Sequence, residues 1–154
     1  STIVQAQLMF LDNLETKDIT LHVDSPGGSV KSGLSIVDVM NYITSDTATV
    51  NTGMAASMGS ILLGAGTKGK RSSLRFSRVM LHQVSTGAAG NIQDIRRSLA
   101  EGEKYNELLF DLLGEYTNKD PKQVMEDASR DLWLNSQEAL AYGIIDNVIT
   151  KPKK

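Results

Sequence analysis

Residues 50–63, Val50-Asn51-Thr52-Gly53-Met54-Ala55-Ala56-Ser57-Met58-Gly59-Ser60-Ile61-Leu62-Leu63, constrain this chain most. A β-prone run there meets small residues around one serine and then becomes an apolar helical pattern. Ala48, Val50 and Thr52 alternate with Thr47, Thr49 and Asn51, the period of a strand over 47–52. Gly53 permits a sharp bend, and Ala55-Ala56 leave little bulk beside Ser57. A serine on a tight strand-to-helix junction lies near free backbone amides, a setting that suits a nucleophile. A turn needed only for close helix packing accounts for the same residues.

The remaining elements follow from periodicity. Ile3, Val4, Ala6, Leu8, Met9, Leu11 and Leu14 predict a helix over 2–14. Ile19, Leu21 and Val23 form one face of a strand whose other face carries Thr20 and His22. Asp24-Ser25-Pro26-Gly27-Gly28 ends that strand, and Ser29 is placed to cap the next helix. After Ser57 a small-residue stripe, Ala56, Ser60 and Gly64, admits another helix at close range. Short strands are expected at 73–76 and 78–82; Val79-Met80-Leu81 is apolar throughout and so central.

A helical pattern over 91–117 extends roughly 40 Å, longer than a compact body needs, so part of it projects and invites a partner helix. Asp120-Pro121 opens a short helix, Ser136-Gln137-Glu138 another, and Ile144, Ile145, Val148 and Ile149 a last strand or buried edge before the basic tail 151–154. Strand–helix pairs at 19–43, 47–63 and 79–117 predict an α/β fold with a largely parallel sheet. Loops at the C-terminal ends of strands build sites in such folds, and Gly27-Gly28, Ser57 and His82 all fall there.

Composition narrows the chemistry. The chain has 154 residues, enough for one domain with a real core. Its 16 basic against 18 acidic residues give no basic field for nucleic acid. With no cysteine, disulfides, thiolate chemistry and cysteine zinc sites are excluded; two histidines leave little for a histidine metal centre. No run of 18 apolar residues suggests a membrane span. The chain opens without methionine, and processing or truncation is one reading of that start. Phosphate-loop, HExxH and calcium-loop patterns are absent, which favours a metal-independent mechanism.

Serine needs a base to accept its proton. His82, ending an apolar strand beside a glycine-rich loop, is the stronger candidate; His22 lies on an exposed strand face. A histidine satisfied by backbone is the bland alternative for His82. Asp24, Asp94, Asp131 and Asp146 all lie near element ends and compete as the carboxylate that orients the histidine. Asp131 gains weight from Trp133 and Leu134, which are placed to shield it. For an oxyanion, Gly28 and Met58 offer backbone N–H groups.

In order along the chain stand Ser25-Pro26-Gly27-Gly28, Gly53-Met54-Ala55-Ala56-Ser57-Met58-Gly59, Lys68-Gly69-Lys70-Arg71, Ser77-Arg78-Val79-Met80-Leu81-His82-Gln83, Arg130-Asp131, Glu138-Ala139 and Tyr142-Gly143-Ile144-Ile145-Asp146. By these motifs the chain resembles the ClpP family, the serine peptidase subunit of the ATP-dependent Clp protease. The resemblance implies Ser57 as nucleophile, His82 as general base and acid, Asp131 as orienting carboxylate, and Gly28 and Met58 amides as the oxyanion hole. It implies the ClpP/crotonase-like α/β fold with repeated β-β-α units across one domain over 1–154. The region 84–117 would then be a projecting handle joining two heptameric rings into a tetradecamer, with 87–90 near the substrate groove. It further implies no cofactor in this subunit, an AAA+ Clp unfoldase that uses ATP and delivers unfolded protein, and a cytoplasmic setting, or an organelle matrix or stroma after leader removal.

The chain departs from the family pattern at several points. Val84 replaces the usual proline after His-Gln, Ser129 a usual acid, and Thr20 and His22 positions that often carry docking aromatics. The family's strand and axial segment before the first helix are absent from this sequence. Crotonase-like acyl-thioester chemistry and a non-catalytic ring scaffold are the alternative functions.

Overall fold

The computed structural model describes residues 1–14, 17–85 and 87–150; the basic tail and Thr86 lie outside the described residues. Helix α1 (Thr2–Leu14) buries Leu8 against Ile19, Ile36 and Met40. Its end is fixed because Asp12 Oδ1 accepts hydrogen bonds from Ser45 N (2.8 Å) and Thr44 Oγ1 (2.9 Å). Strand β1 (Ile19–Ser25) alternates as the sequence predicts, with Ile19 and Val23 buried and Thr20 and His22 exposed. Ser29 caps α2 (Val30–Tyr42), its side chain accepting from Ser32 N.

The ten-residue strand β2 (Thr47–Ala56) organises the sheet. Along one edge it pairs in parallel with β1, from Ile19↔Thr47 to Ser25↔Ala55. Its other edge is shared by two strands in succession: Thr49–Asn51 pair with β3 (Arg71–Leu74), and Met54–Ala56 with β4 (Arg78–Leu81). The sheet therefore forks beyond Asn51. At a fork, ladder partners are lost, and buried backbone groups need substitutes. Asn51, fully buried, supplies them: its Nδ2 donates to Arg78 O (2.9 Å), and its Oδ1 accepts from Gly53 N (3.2 Å). Ser77 Oγ donates back to Asn51 O at 3.1 Å.

This arrangement corrects the expectation that the strand ends at Thr52 and bends at Gly53. Pairing with β4 carries β2 on to Ala56. Gly53 is required for close approach instead, since a Cβ there would lie 2.5 Å from Asp24 Oδ1. That carboxylate accepts from Met54 N (2.9 Å) where the β1 register shifts between Val23 and Ser25.

Helix α3 (Met58–Gly64) packs on α4 (Ile92–Thr117) through the small-residue stripe; a Cβ on Gly64 would lie 2.6 Å from Tyr116 Cδ2. Burial at this contact, reinforced by Glu115 and opposed by Arg71, pushes the Tyr116 hydroxyl up to about 12. Only the C-terminal part of α4 is buried, at Phe110, Leu113, Gly114 and Thr117. Its first half stands clear, with Ile92 71% and Leu99 51% exposed, so the helix projects as its length suggested.

Helix α5 (Pro121–Asp127), strand β5 (Leu132–Asn135), helix α6 (Ser136–Tyr142) and strand β6 (Asn147–Ile149) complete the chain. Ile144 and Ile145 are buried just before the last strand. The first short strand after α3 lies at Arg71–Leu74, two residues earlier than expected. Strand β5 was not anticipated; it runs antiparallel to β4, the one antiparallel pairing in an otherwise parallel sheet, among the described residues. The central position expected for β4 holds, between β2 and β5 with Val79 and Leu81 fully buried. The whole is a mixed α/β fold built on one six-stranded sheet.

Candidate active site

Ser57 stands between the last residue of β2 and the first of α3 with φ 54° and ψ −123°. Among the described residues only Ser57 and Asn118 combine a side chain with positive φ, and Asn118 is an ordinary left-handed helix cap. The Ser57 conformation is strained, and the surroundings hold it. Its N–H donates to Met80 O of β4 (3.0 Å), and its carbonyl accepts from Ser60 N (2.9 Å) and Ser60 Oγ (2.6 Å). The β1–α2 loop presses against it from the other side. A Cβ on Gly27 (φ 103°) would lie 2.6 Å from Ser57 Cβ and 2.9 Å from Ala56 O. Glycine at 27 therefore lets the loop carrying Gly28 reach the serine, a requirement the sequence does not distinguish from the turn itself.

His82 follows β4, and Asp131 precedes β5. The antiparallel register runs from Arg78↔Asn135 to Leu81↔Leu132, so one further step sets His82 opposite Asp131. Their side chains meet with Nδ1 3.7 Å from Oδ1, leaving Nε2 as the free ring nitrogen. The β-prone Leu132-Trp133-Leu134 run is the signal that could have revealed this pairing. It does not shield the carboxylate as expected: Leu134 is buried, but Trp133 is 45% exposed and the Asp131 side chain 62% exposed.

Gly28, Ser57 and His82 line one cavity, closed by Val30, Leu109 and Phe110. Among the described residues no hydrogen bond joins Ser57 Oγ to His82. Met58 does not line this cavity: its side chain is buried against Gly33, and it borders a neighbouring opening shared with Ser25, Gly27 and Gly28. The other candidate carboxylates are engaged elsewhere. Asp24 binds Met54 N, and Asp94 accepts from Asn91 at the start of α4. Asp146 forms a forked pair with buried Arg71, through Nε (2.8 Å) and Nη2 (2.6 Å). Burial alone would raise the Asp146 carboxyl, but the hydrogen bonds and charge of Arg71, with Gly69 N–H, hold it below the usual value. Arg71 also donates to Tyr116 O and Gly143 O, a buried anchor that the Lys68-Gly69-Lys70-Arg71 motif did not identify as such.

His22 lies exposed on β1, away from this cavity. Among the described residues no group of three histidine, aspartate or glutamate side chains is arranged to hold a metal ion, and no helix is long and apolar enough to cross a membrane.

Relatives support the same class. A model of the Clp protease family matches residues 1–152. An ATP-dependent Clp protease proteolytic subunit from Bacteroides fragilis is 48% identical over 149 residues, covering 96% of this chain and 72% of the relative. Subunits of the same name from Bacteroides thetaiotaomicron and Porphyromonas gingivalis are 47% and 44% identical, covering 96% and 100% of this chain and 68% and 70% of theirs. The chain belongs to the Clp protease family.

Proposed function

We propose that Ser57, His82 and Asp131 form the hydrolytic triad of this chain, with the Gly28 and Met58 amides as its oxyanion hole. The observation that carries the reading is Ser57, held with strained backbone in a cavity it shares with Gly28 and His82. As a Clp protease family member, the chain is a serine peptidase of ATP-dependent protein degradation.

In the proposed cycle Ser57 Oγ attacks the peptide carbonyl carbon while its proton passes to His82 Nε2. Asp131, facing Nδ1, keeps that nitrogen protonated and stabilises the imidazolium. The new oxyanion takes the Gly28 and Met58 N–H groups. Collapse breaks the C–N bond, and His82 gives its proton to the leaving amine. Water, deprotonated by His82, then hydrolyses the acyl-serine ester, releasing the carboxylate and restoring Ser57. The 3.7 Å His82–Asp131 separation must shorten to a hydrogen bond for this cycle.

The assembly completes the proposal. Residues 1–154 act as one peptidase unit, and 84–117 as a handle whose exposed Ile92 and Leu99 find cover against a second ring. Two heptameric rings would enclose the serines. An AAA+ Clp ATPase, in the cytoplasm, would use ATP to deliver unfolded protein; no cofactor is assigned to this subunit.

The test is hydrolysis of a short fluorogenic peptide by the assembled protein against Ser57→Ala. A fall in kcat of at least about 10⁴-fold is expected, together with loss of labelling by a serine-reactive phosphonate. Equal rates in the two proteins would overturn the assignment.

A further inference from the structure

The segment that carries His82 out of the sheet is held by very little. Strand β4 ends at Leu81, and residues 82–85 run between three openings: the Ser57 cavity, a cavity under α4, and one bounded by Ala128 and Asp131. A general base needs a fixed backbone, because an error near 1 Å costs about 10²-fold in rate. Past His82 one polar tether is present. Val84 N–H donates to Asn106 Oδ1 at 2.9 Å, and among the described residues it is the only hydrogen bond made by Gln83, Val84 or Ser85.

Asn106 stands where it can transmit position. It is half-buried on α4, one turn before Phe110, the first residue of that helix to be buried in the body. Leu109 and Phe110, on the next turn, line the Ser57 cavity together with His82 and Val84. The tether thus joins the segment bearing the base to the point at which the projecting half of α4 leaves the core. It depends on residue 84 having an N–H, which every residue except proline has.

We infer that Asn106 is a positioning residue for the peptidase reaction, fixing His82 against Ser57 through the Val84 N–H. The inference rests on the proposed role of His82 but names a group outside the triad and the oxyanion hole. Asn106 touches no reacting atom. Loss of its carbonyl oxygen leaves Val84 N–H free to exchange and lets the 82–85 segment, with His82, depart from its productive position. Substrate binding changes less, because the cavity walls from Val30, Leu109 and Phe110 remain.

The experiment compares the assembled parent with Asn106→Ala, Asn106→Asp, Val84→Pro and the double variant Val84→Pro/Asn106→Ala, by peptide kcat and KM and by amide hydrogen exchange of 82–85. Asn106→Ala should lower kcat about three- to tenfold, the scale of one hydrogen bond, with KM within twofold. Asn106→Asp keeps the acceptor and should restore kcat. Faster Val84 exchange should accompany Asn106→Ala. In the Val84→Pro background, where no N–H exists to hold, Asn106→Ala should cause no further loss. The inference fails if Asn106→Ala leaves Val84 exchange unchanged, or lowers kcat equally in both backgrounds. Exchange read in an otherwise matched Ser57→Ala pair keeps the two proposals apart: a tether seen there without any parental turnover would sink the triad and leave the tether standing.

Discussion

The two halves of the candidate site are built to different standards. Ser57 rises from a region in which Ala55, Ala56, Met58 and Ile61 are all buried, and its positive-φ backbone is braced by hydrogen bonds to Met80 O and from Ser60 N. The histidine and aspartate lie at the open end of the β4–β5 ladder; the side chains are 25% and 62% exposed and sit 3.7 Å apart. A nucleophile elbow stores strain, so the fold must over-determine it. The hydrogen bond between a base and its carboxylate is often long in a free enzyme and tightens in the working complex, even where the backbone that carries the base is fixed. The difference teaches that the serine half is a product of the buried core, whereas the His82–Asp131 half rests on the backbone register at an exposed end of the β4–β5 ladder.

Asp131→Asn gives the largest effect and tests that division directly. An amide in place of the carboxylate favours the wrong histidine tautomer, and kcat should fall on the order of 10⁴-fold. Stability should barely respond, within about 0.5 kcal/mol, because the side chain is exposed and its one ion-pair contact is long. Urea unfolding beside peptide kinetics would check both. A large loss of stability would show that Asp131 belongs to the rigid half after all.

Asp146→Asn probes the opposite case, a carboxylate that serves only the body. Arg71 is 3% exposed, and removing its partner charge leaves it buried and uncompensated, at a cost of about 3 kcal/mol. The sign with pH follows from the direction of the shift. The folded carboxyl lies below its ordinary value of 3.8, so its contribution is complete above that value and is lost as pH falls through the lower folded value. The stability gap between parent and variant should therefore be full at neutral pH and close in acid. A gap that stayed constant across the acid range would mean the pair is not the cause.

The same contrast explains what could be read before the fold was known. Strand β1, the Ser29 cap, the serine turn and the projecting helix are legible because each is written in local periodicity or in one capping residue. The choice among Asp24, Asp94, Asp131 and Asp146 is not local; it depends on the register of a four-residue strand against a partner more than 50 residues earlier. Gly27 and Gly53 announce flexibility in the sequence, whereas their use is to admit Ser57 and Asp24 at close range. Val84 reads as a departure from a family pattern, and only the helix beside it shows what its N–H binds. Tertiary partners, not propensities, carry that information.

The smallest effect sharpens the comparison from the exposed side. Asn135 ends β5 four residues after Asp131 and caps α6 in a capping box: its side chain accepts from Gln137 N and Glu138 N, while Glu138 reaches back to Asn135 N. Asn135→Ala removes the cap and should cost about 1 kcal/mol in unfolding free energy. Turnover should stay within twofold. The β4–β5 ladder is made by backbone groups from Arg78↔Asn135 to Leu81↔Leu132, and it sets Asp131 opposite His82 whatever side chain stands at its far end. If turnover instead fell in step with stability, the carboxylate would be held through α6 and not by the ladder, and the looser half of the site would owe its geometry to side chains that the register alone does not require.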